Sequence, residues 1–142
     1  MRIRVNFAKT SAMRFTGHLD LFRTWERTIR RAGLPLAYSQ GFNPHPKIAL
    51  ACALPLGFTS QSEVIDIWLE EDGDLSAVQA ALEKAAPPGI QIQTIEEVDA
   101  RLPALQTVVD SAEYEITLLE ACPNLDKRLA VLLESQSLPR QR

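Results

Sequence analysis

Over residues 1–98 the spacing of apolar residues switches between period two and period 3.6 in one particular order, and that order restricts the fold more than any other property of the chain. Ile3, Val5 and Phe7 alternate with Arg2, Arg4 and Asn6 up to Lys9, the pattern of a strand with one apolar face. Residues 18–32 repeat at helical spacing, with Leu21, Trp25, Ile29 and Ala32 on one side, extended by Phe22. Gly33 and Pro35 stop that helix. Residues 48–54 form a short, wholly apolar run, expected as a buried strand, and residues 63–69 pair with it as a hairpin across a polar turn. Leu75, Val78, Ala81, Leu82 and Ala85 mark a second helix over residues 75–86, ended by Pro87-Pro88-Gly89. Ile90, Ile92 and Thr94 then alternate with Gln91, Gln93 and Ile95 in a fourth strand.

Strand, helix, strand, strand, helix, strand predicts an α+β, ferredoxin-like βαββαβ sandwich: an antiparallel sheet with both helices on one face. Residues 99–142 add a linker through Leu102-Pro103, and a strand is expected over residues 111–119 with Tyr114, Ile116 and Leu118 on one side. A helix over residues 125–134 carries Leu125, Leu129, Leu132 and Leu133. One strand and one helix cannot enclose a core, so they either cover the first unit or begin a second ferredoxin-like unit. The run from Ser137 to Arg142 holds no closing element, as in a truncated second unit. At 142 residues and 46% hydrophobic, the chain can bury a real core in one domain or two small ones.

No apolar run approaches the ~20 residues of a membrane span, and Met1 leads into alternation rather than a signal peptide, so a cytoplasmic protein with no membrane partner is expected. Cys52 and Cys122 lack any CxxC spacing, which argues against a disulfide framework or cysteine metal knuckle and makes both buried thiols. The net charge of −3 conceals a division. Residues 1–50 hold nine Lys/Arg against two Asp/Glu, and the remainder six against sixteen. An anionic partner at the basic end fits that division, as does mutual neutralisation within one fold. On the first helix Arg23, Arg27, Arg30 and Arg31 share an arc of about 100° opposite the apolar stripe. Asp20 in the first turn and Arg30 and Arg31 in the last complement the helix dipole.

Residues 38–47, Tyr38-Ser39-Gln40-Gly41-Phe42-Asn43-Pro44-His45-Pro46-Lys47, follow this helix. Pro44 and Pro46 exclude helix and push Asn43 and His45 toward extended backbone, so the loop is stiff. Gly41 and Gly57 are expected to supply positive-φ turns. A stiff loop spending Tyr38, Phe42 and His45 in so short a space is expected to touch a partner, with His45 toward solvent near the arginine face. A loop rigidified to bury Phe42 is the alternative.

Met13-Arg14-Phe15, His18-Leu19-Asp20-Leu21, Arg23, Arg27, Arg30-Arg31-Ala32, Leu34-Pro35, Tyr38-Ser39, Gly41-Phe42-Asn43-Pro44-His45-Pro46-Lys47, Pro55-Leu56-Gly57 and Ser62-Glu63 with Asp66 together resemble the radical-SAM-linked bacterial domain of unknown function. The resemblance is close over residues 1–70 and extends beyond them only in pattern. It implies a radical SAM protein as partner, fused to the domain or encoded beside it. That family usually has Ser where this chain has Gly17, which as N-cap lacks the side-chain acceptor worth about 1 kcal/mol over Ala but only tenths over Gly. The family is also usually longer than this chain. Cys52 and Cys122 cannot hold a radical SAM cluster, so the chain is not itself the radical enzyme, and no cofactor is expected.

Guanidinium groups for phosphates beside rings for bases make an RNA site of Arg23, Arg27, Arg30, Arg31, Tyr38, Phe42, Asn43, His45 and Lys47. The same residues could dock a protein, or form a solvated helix face beside a structural loop. In a third reading His18 and His45 act as acid and base in RNA cleavage, by fold-level analogy with the tandem ferredoxin-like endoribonucleases that process CRISPR repeat transcripts. His18, Asp20, His45, Glu63 and Asp66 are the residues from which a metal site would have to be built, but no HxxxH or HExxH spacing is present, and none is expected. A non-catalytic accessory domain is the favoured expectation. Trp25 and Trp68 are expected in the core, and Glu63 or Asp66 to pair with a helix arginine.

Overall fold

β1 (Arg2–Lys9) is one of the two inner strands of the sheet, and its alternation turns Ile3, Val5 and Phe7 to the core. It pairs antiparallel with β3 (Ser60–Trp68) and with β4 (Ile90–Val98), while β2 (Ile48–Leu50) adds antiparallel to β3. The order is β2-β3-β1-β4. The computed structural model describes residues 1–139 and comprises two units, Met1–Ser111 and Ala112–Arg142.

One core fills the first unit. Ile3, Val5, Phe7, Ile65 and Ile67 meet Leu21, Trp25 and Ile29 of α1 (His18–Arg31) and Val78 and Leu82 of α2 (Leu75–Ala85), so both helices lie on the same face of the sheet. The Asp74 side chain caps α2 by accepting from the Ser76 and Ala77 amides, and its hydrogen bonds, first that from the Ser76 hydroxyl, hold its carboxyl below the usual range. Gly17 is the N-cap of α1 and contributes no side-chain bond. None of the helices among the described residues is long and apolar enough to cross a membrane.

Four expectations are corrected. The apolar run after Leu50 does not continue as strand: β2 ends there, and Cys52 and Ala53 are exposed, so Cys52 is not a buried thiol. Alanines supply little area to hold a segment inside, and the chain leaves the sheet for the loop in which the Gly57 amide bonds the Arg14 carbonyl. In β4 a register shift opposite Asn6 and Phe7 places Ile92 against Phe7 but Ile95 against Val5. The extra residue switches the inward side, so Ile95 packs on the core rather than on the outer face. Trp68 pairs with Arg2 and lies on the outer face of the sheet, where the Arg2 guanidinium stacks on its ring at 4.8 Å. Asp66 pairs with strand arginines, Arg2 and Arg4, and not with the helix.

Residues 99–108 cover part of that outer face. The carbonyls of Leu102 and Pro103 accept from Arg2 at 2.8 and 3.0 Å, Gln106 donates to the Leu50 carbonyl, and Leu105 at the start of α3 (Leu105–Val108) is buried.

In the second unit, α4 (Leu125–Glu134) forms as its leucine spacing predicts, but residues 111–119 are not a strand. A strand exists only where a neighbour accepts its backbone bonds, and no described strand pairs with this stretch. Tyr114, Ile116, Leu118, Leu129, Leu132 and Leu133 are exposed, and Cys122 is half-buried.

Candidate functional site

The basic face of α1 follows from its sequence. Leu21, Trp25, Thr28 and Ile29 are buried, which turns Arg23, Arg27, Arg30 and Arg31 outward. Arg23 lies 3.6 Å from the exposed Asp20 and Arg30 3.9 Å from the half-buried Glu26, long contacts of two exposed guanidinium groups that leave both cations open to an external anion. Among the described residues Arg27 and Arg31 have no ion-pair partner. Thr24, Arg27, Arg30 and Arg31 line a surface depression.

The loop is a narrow hairpin rather than a coil. Ala37 donates to the Trp68 carbonyl at 2.8 Å and Trp68 to the Lys47 carbonyl at 3.0 Å, so the hairpin extends from the end of β3. Lys47 donates to Ala37, Tyr38 bridges Pro46, and Ser39 donates to the His45 carbonyl at 2.8 Å while its hydroxyl accepts from the His45 amide at 2.9 Å. These bonds leave residues 40–44 as the tip, where Gly41 adopts φ 139°, a region side chains avoid. Phe42 at the tip is 100% exposed, which removes the alternative in which the loop buries it. Asn43, His45 and Lys47 are exposed too, whereas Tyr38 is half-buried against the core.

Topology brings hairpin and helix to one end. Leu36, five residues after α1, bridges Leu69, whose amide bonds the Met1 carbonyl; the last turn of α1, with Arg30 and Arg31, therefore shares the end of the sheet where β1 begins. His18 opens α1 at the opposite end, about 20 Å away along a 14-residue helix. His18 and His45 are thus not an acid–base pair. Nor do His18, Asp20, His45, Glu63 and Asp66 converge: among the described residues no group of three His, Cys, Asp or Glu could hold a metal ion.

Sequence reasoning missed the buried ionisable groups at the His18 end. Lys9 is fully buried beside the start of α1, and burial pushes its ammonium below the usual lysine range, opposed by the charge of Glu63. Glu63 opposes Phe7 in the sheet. Burial pushes its carboxyl up, against a hydrogen bond from Ser60 and the charges of Lys9 and His18. The signal was available: continuing the alternation of Ile3, Val5 and Phe7 by two residues puts Lys9 on the inward side.

A raised carboxyl implies a pH dependence of definite sign. The folded state retains the Glu63 proton at a pH where the unfolded chain, at the ordinary 4.5, has released it, so this group's contribution to stability falls as pH rises from 4.5 through the folded value. The difference in unfolding free energy between wild type and Glu63→Gln, measured by urea denaturation from acid to neutral pH, should decline with rising pH. A difference that is flat or increases contradicts the burial of this carboxyl.

A protein-family model described as an uncharacterized protein conserved in bacteria matches residues 2–142. No curated protein matches the chain.

Proposed function

The chain belongs to that bacterial family, DUF2344, and within it we propose that this protein is a cytoplasmic, non-catalytic accessory domain that binds RNA through the outer face of α1 and the hairpin tip. The observation that carries the reading is the placement of a fully exposed Phe42, on a hairpin stiffened by its own hydrogen bonds, at the same end as Arg30 and Arg31. An exposed ring on a rigid mount offers a stacking surface at little ordering cost, and the guanidinium groups at the same end of the sheet suit phosphates. We read the scaffold as ferredoxin-like, on the support of its antiparallel β2-β3-β1-β4 order and two helices on one face.

The test is fluorescence anisotropy with single-stranded RNAs of differing sequence across a salt series. Arg27→Ala and Arg31→Ala should each weaken binding to every sequence and reduce the slope of log K against log salt by about 0.7. Phe42→Ala should cost about five- to a hundredfold, the value of one stacked base. Binding that is absent, or unchanged by all three substitutions, overturns the proposal.

Exposed Phe42 also suits a protein anchor, and the second reading is docking to a radical SAM protein. In that case the substitutions abolish co-purification of the two proteins and leave RNA affinity at background.

A further inference from the structure

The end of the sheet away from the hairpin holds a buried positive charge that no side chain neutralises at contact distance. Lys9 is 0% exposed. Its Nζ donates to the Thr16 carbonyl at 2.8 Å and the Phe58 carbonyl at 3.1 Å, which uses two of three protons. Among the described residues, no carboxylate comes within 4.0 Å of it. Buried charges are ordinarily paired, so an ammonium with a spare proton and no counter-ion points to a partner from outside the chain.

Its neighbours give that partner a chemistry. His18 Nδ1 is buried and has no hydrogen-bond partner among the described residues. His18 also begins a 14-residue helix whose Gly17 cap supplies no side-chain acceptor, so the positive end of the helix faces the same region. Glu63 influences both Lys9 and His18 through space yet makes an ion pair with neither. The surroundings are apolar and fixed: Arg14 Nε donates to the Gly57 carbonyl at 2.8 Å, and Gly57 returns its amide to the Arg14 carbonyl at 2.9 Å. These bonds join the segment that carries Phe15 to the one that carries Leu56 and Phe58; all three side chains are exposed, as is Leu19 in the first turn of α1.

We propose that this end of the sheet binds a small monocarboxylate with an apolar body, its carboxylate meeting the free Lys9 proton and the His18 imidazole and its body lying against Phe15, Leu19, Leu56 and Phe58. One buried cation balances one negative charge. A dianionic phosphate would bring a second charge into the field of Glu63, and the further cation at the rim, Arg14, is already stacked on the Phe15 ring at 5.6 Å with its Nε committed to the Gly57 carbonyl. An anion beside Glu63 raises that carboxyl further, so binding takes up a proton and weakens as pH rises. This site stands apart from the RNA surface, and neither depends on the other.

The experiment titrates the whole chain with benzoate, benzyl alcohol, benzylamine and phenyl phosphate, read by calorimetry and by the shift in thermal midpoint. Benzoate is expected to bind saturably and raise the midpoint, phenyl phosphate to bind at least about tenfold more weakly, and benzyl alcohol and benzylamine not at all. Glu63→Gln should tighten benzoate binding several-fold and flatten its pH dependence, while Lys9→Met should abolish it. Lys9 also ties two loops together, so where that variant does not fold, His18→Ala reads the same contact and should weaken benzoate about tenfold. Benzyl alcohol binding as well as benzoate would mark an apolar pocket without a charge partner and overturn the proposal, and so would phenyl phosphate binding tighter. Absence of saturable benzoate binding by wild type overturns it outright.

Discussion

Asp66→Ala is expected to destabilise the protein by about 3–5 kcal/mol, the cost of leaving a buried charge without its partner. Asp66 is 0% exposed and serves two guanidinium groups at once. Arg2 reaches Oδ2 through Nη2 at 2.6 Å and Nε at 3.1 Å, and Arg4 reaches Oδ1 through Nε at 2.9 Å and Oδ2 through Nη2 at 3.0 Å. The carboxylate in turn holds the Arg4 guanidinium above its ordinary range, chiefly through their hydrogen bonds. Arg2 is almost fully buried, between the Trp68 ring and the carbonyls of Leu102 and Pro103, so once the carboxylate is gone it faces Arg4 with no anion between them. Urea denaturation followed by circular dichroism measures the loss. The double substitution Arg2→Met with Asp66→Leu should recover much of it, because replacing both buried partners by apolar groups avoids the desolvation cost of each. A loss for Asp66→Ala below about 1 kcal/mol would place the pair among exposed ones and contradict its burial.

Trp25→Ala should cost a comparable amount, about 3–5 kcal/mol, since a fully buried indole leaves a cavity that its neighbours fill only in part. Trp25 packs edge-on against Phe7, ring centres 4.9 Å apart at 70°, where α1 crosses β1. Its Nε1 is buried with no hydrogen-bond partner among the described residues, a defect worth about 1–3 kcal/mol against the fold. Trp25→Phe removes that orphaned donor while retaining a ring, so it should cost less than half of what Ala costs. Equal losses for Phe and Ala would mean that the indole nitrogen has a partner. Trp68, the other tryptophan, lies on the outer face over Arg2, so the change in fluorescence between the variants isolates the core.

Much of the scaffold was legible. The helix expected over residues 18–32 is α1, one residue shorter, because Leu21, Trp25 and Ile29 recur at a spacing only a helix brings to one side. The same spacing sets Arg23, Arg27, Arg30 and Arg31 on the outside, whatever packs against the helix. The hairpin was legible as stiff, since Pro44 and Pro46 act through their own rings regardless of what surrounds them. Its hydrogen bonds to β3 were not, because they join residues that the sequence leaves far apart.

The sequence by itself determined what depends on neighbours along the chain: periodicity, helix ends, the faces of β1 and the strand and helix order of residues 1–98. Only tertiary structure decided which polar groups left water. Arg2 reads as a solvent-facing strand residue until residues 99–103 fold across it and Asp66 meets it from the adjacent strand. Lys9 reads as a strand-end cation until the loops carrying Thr16 and Phe58 close over its stem. The β4 register shift that turns Ile95 inward and the missing strand at residues 111–119 belong to the same class, since a backbone bond needs a partner strand that periodicity cannot supply. Alternation is a property of one strand, whereas burial of a charge and closure of a ladder are properties of what packs against it.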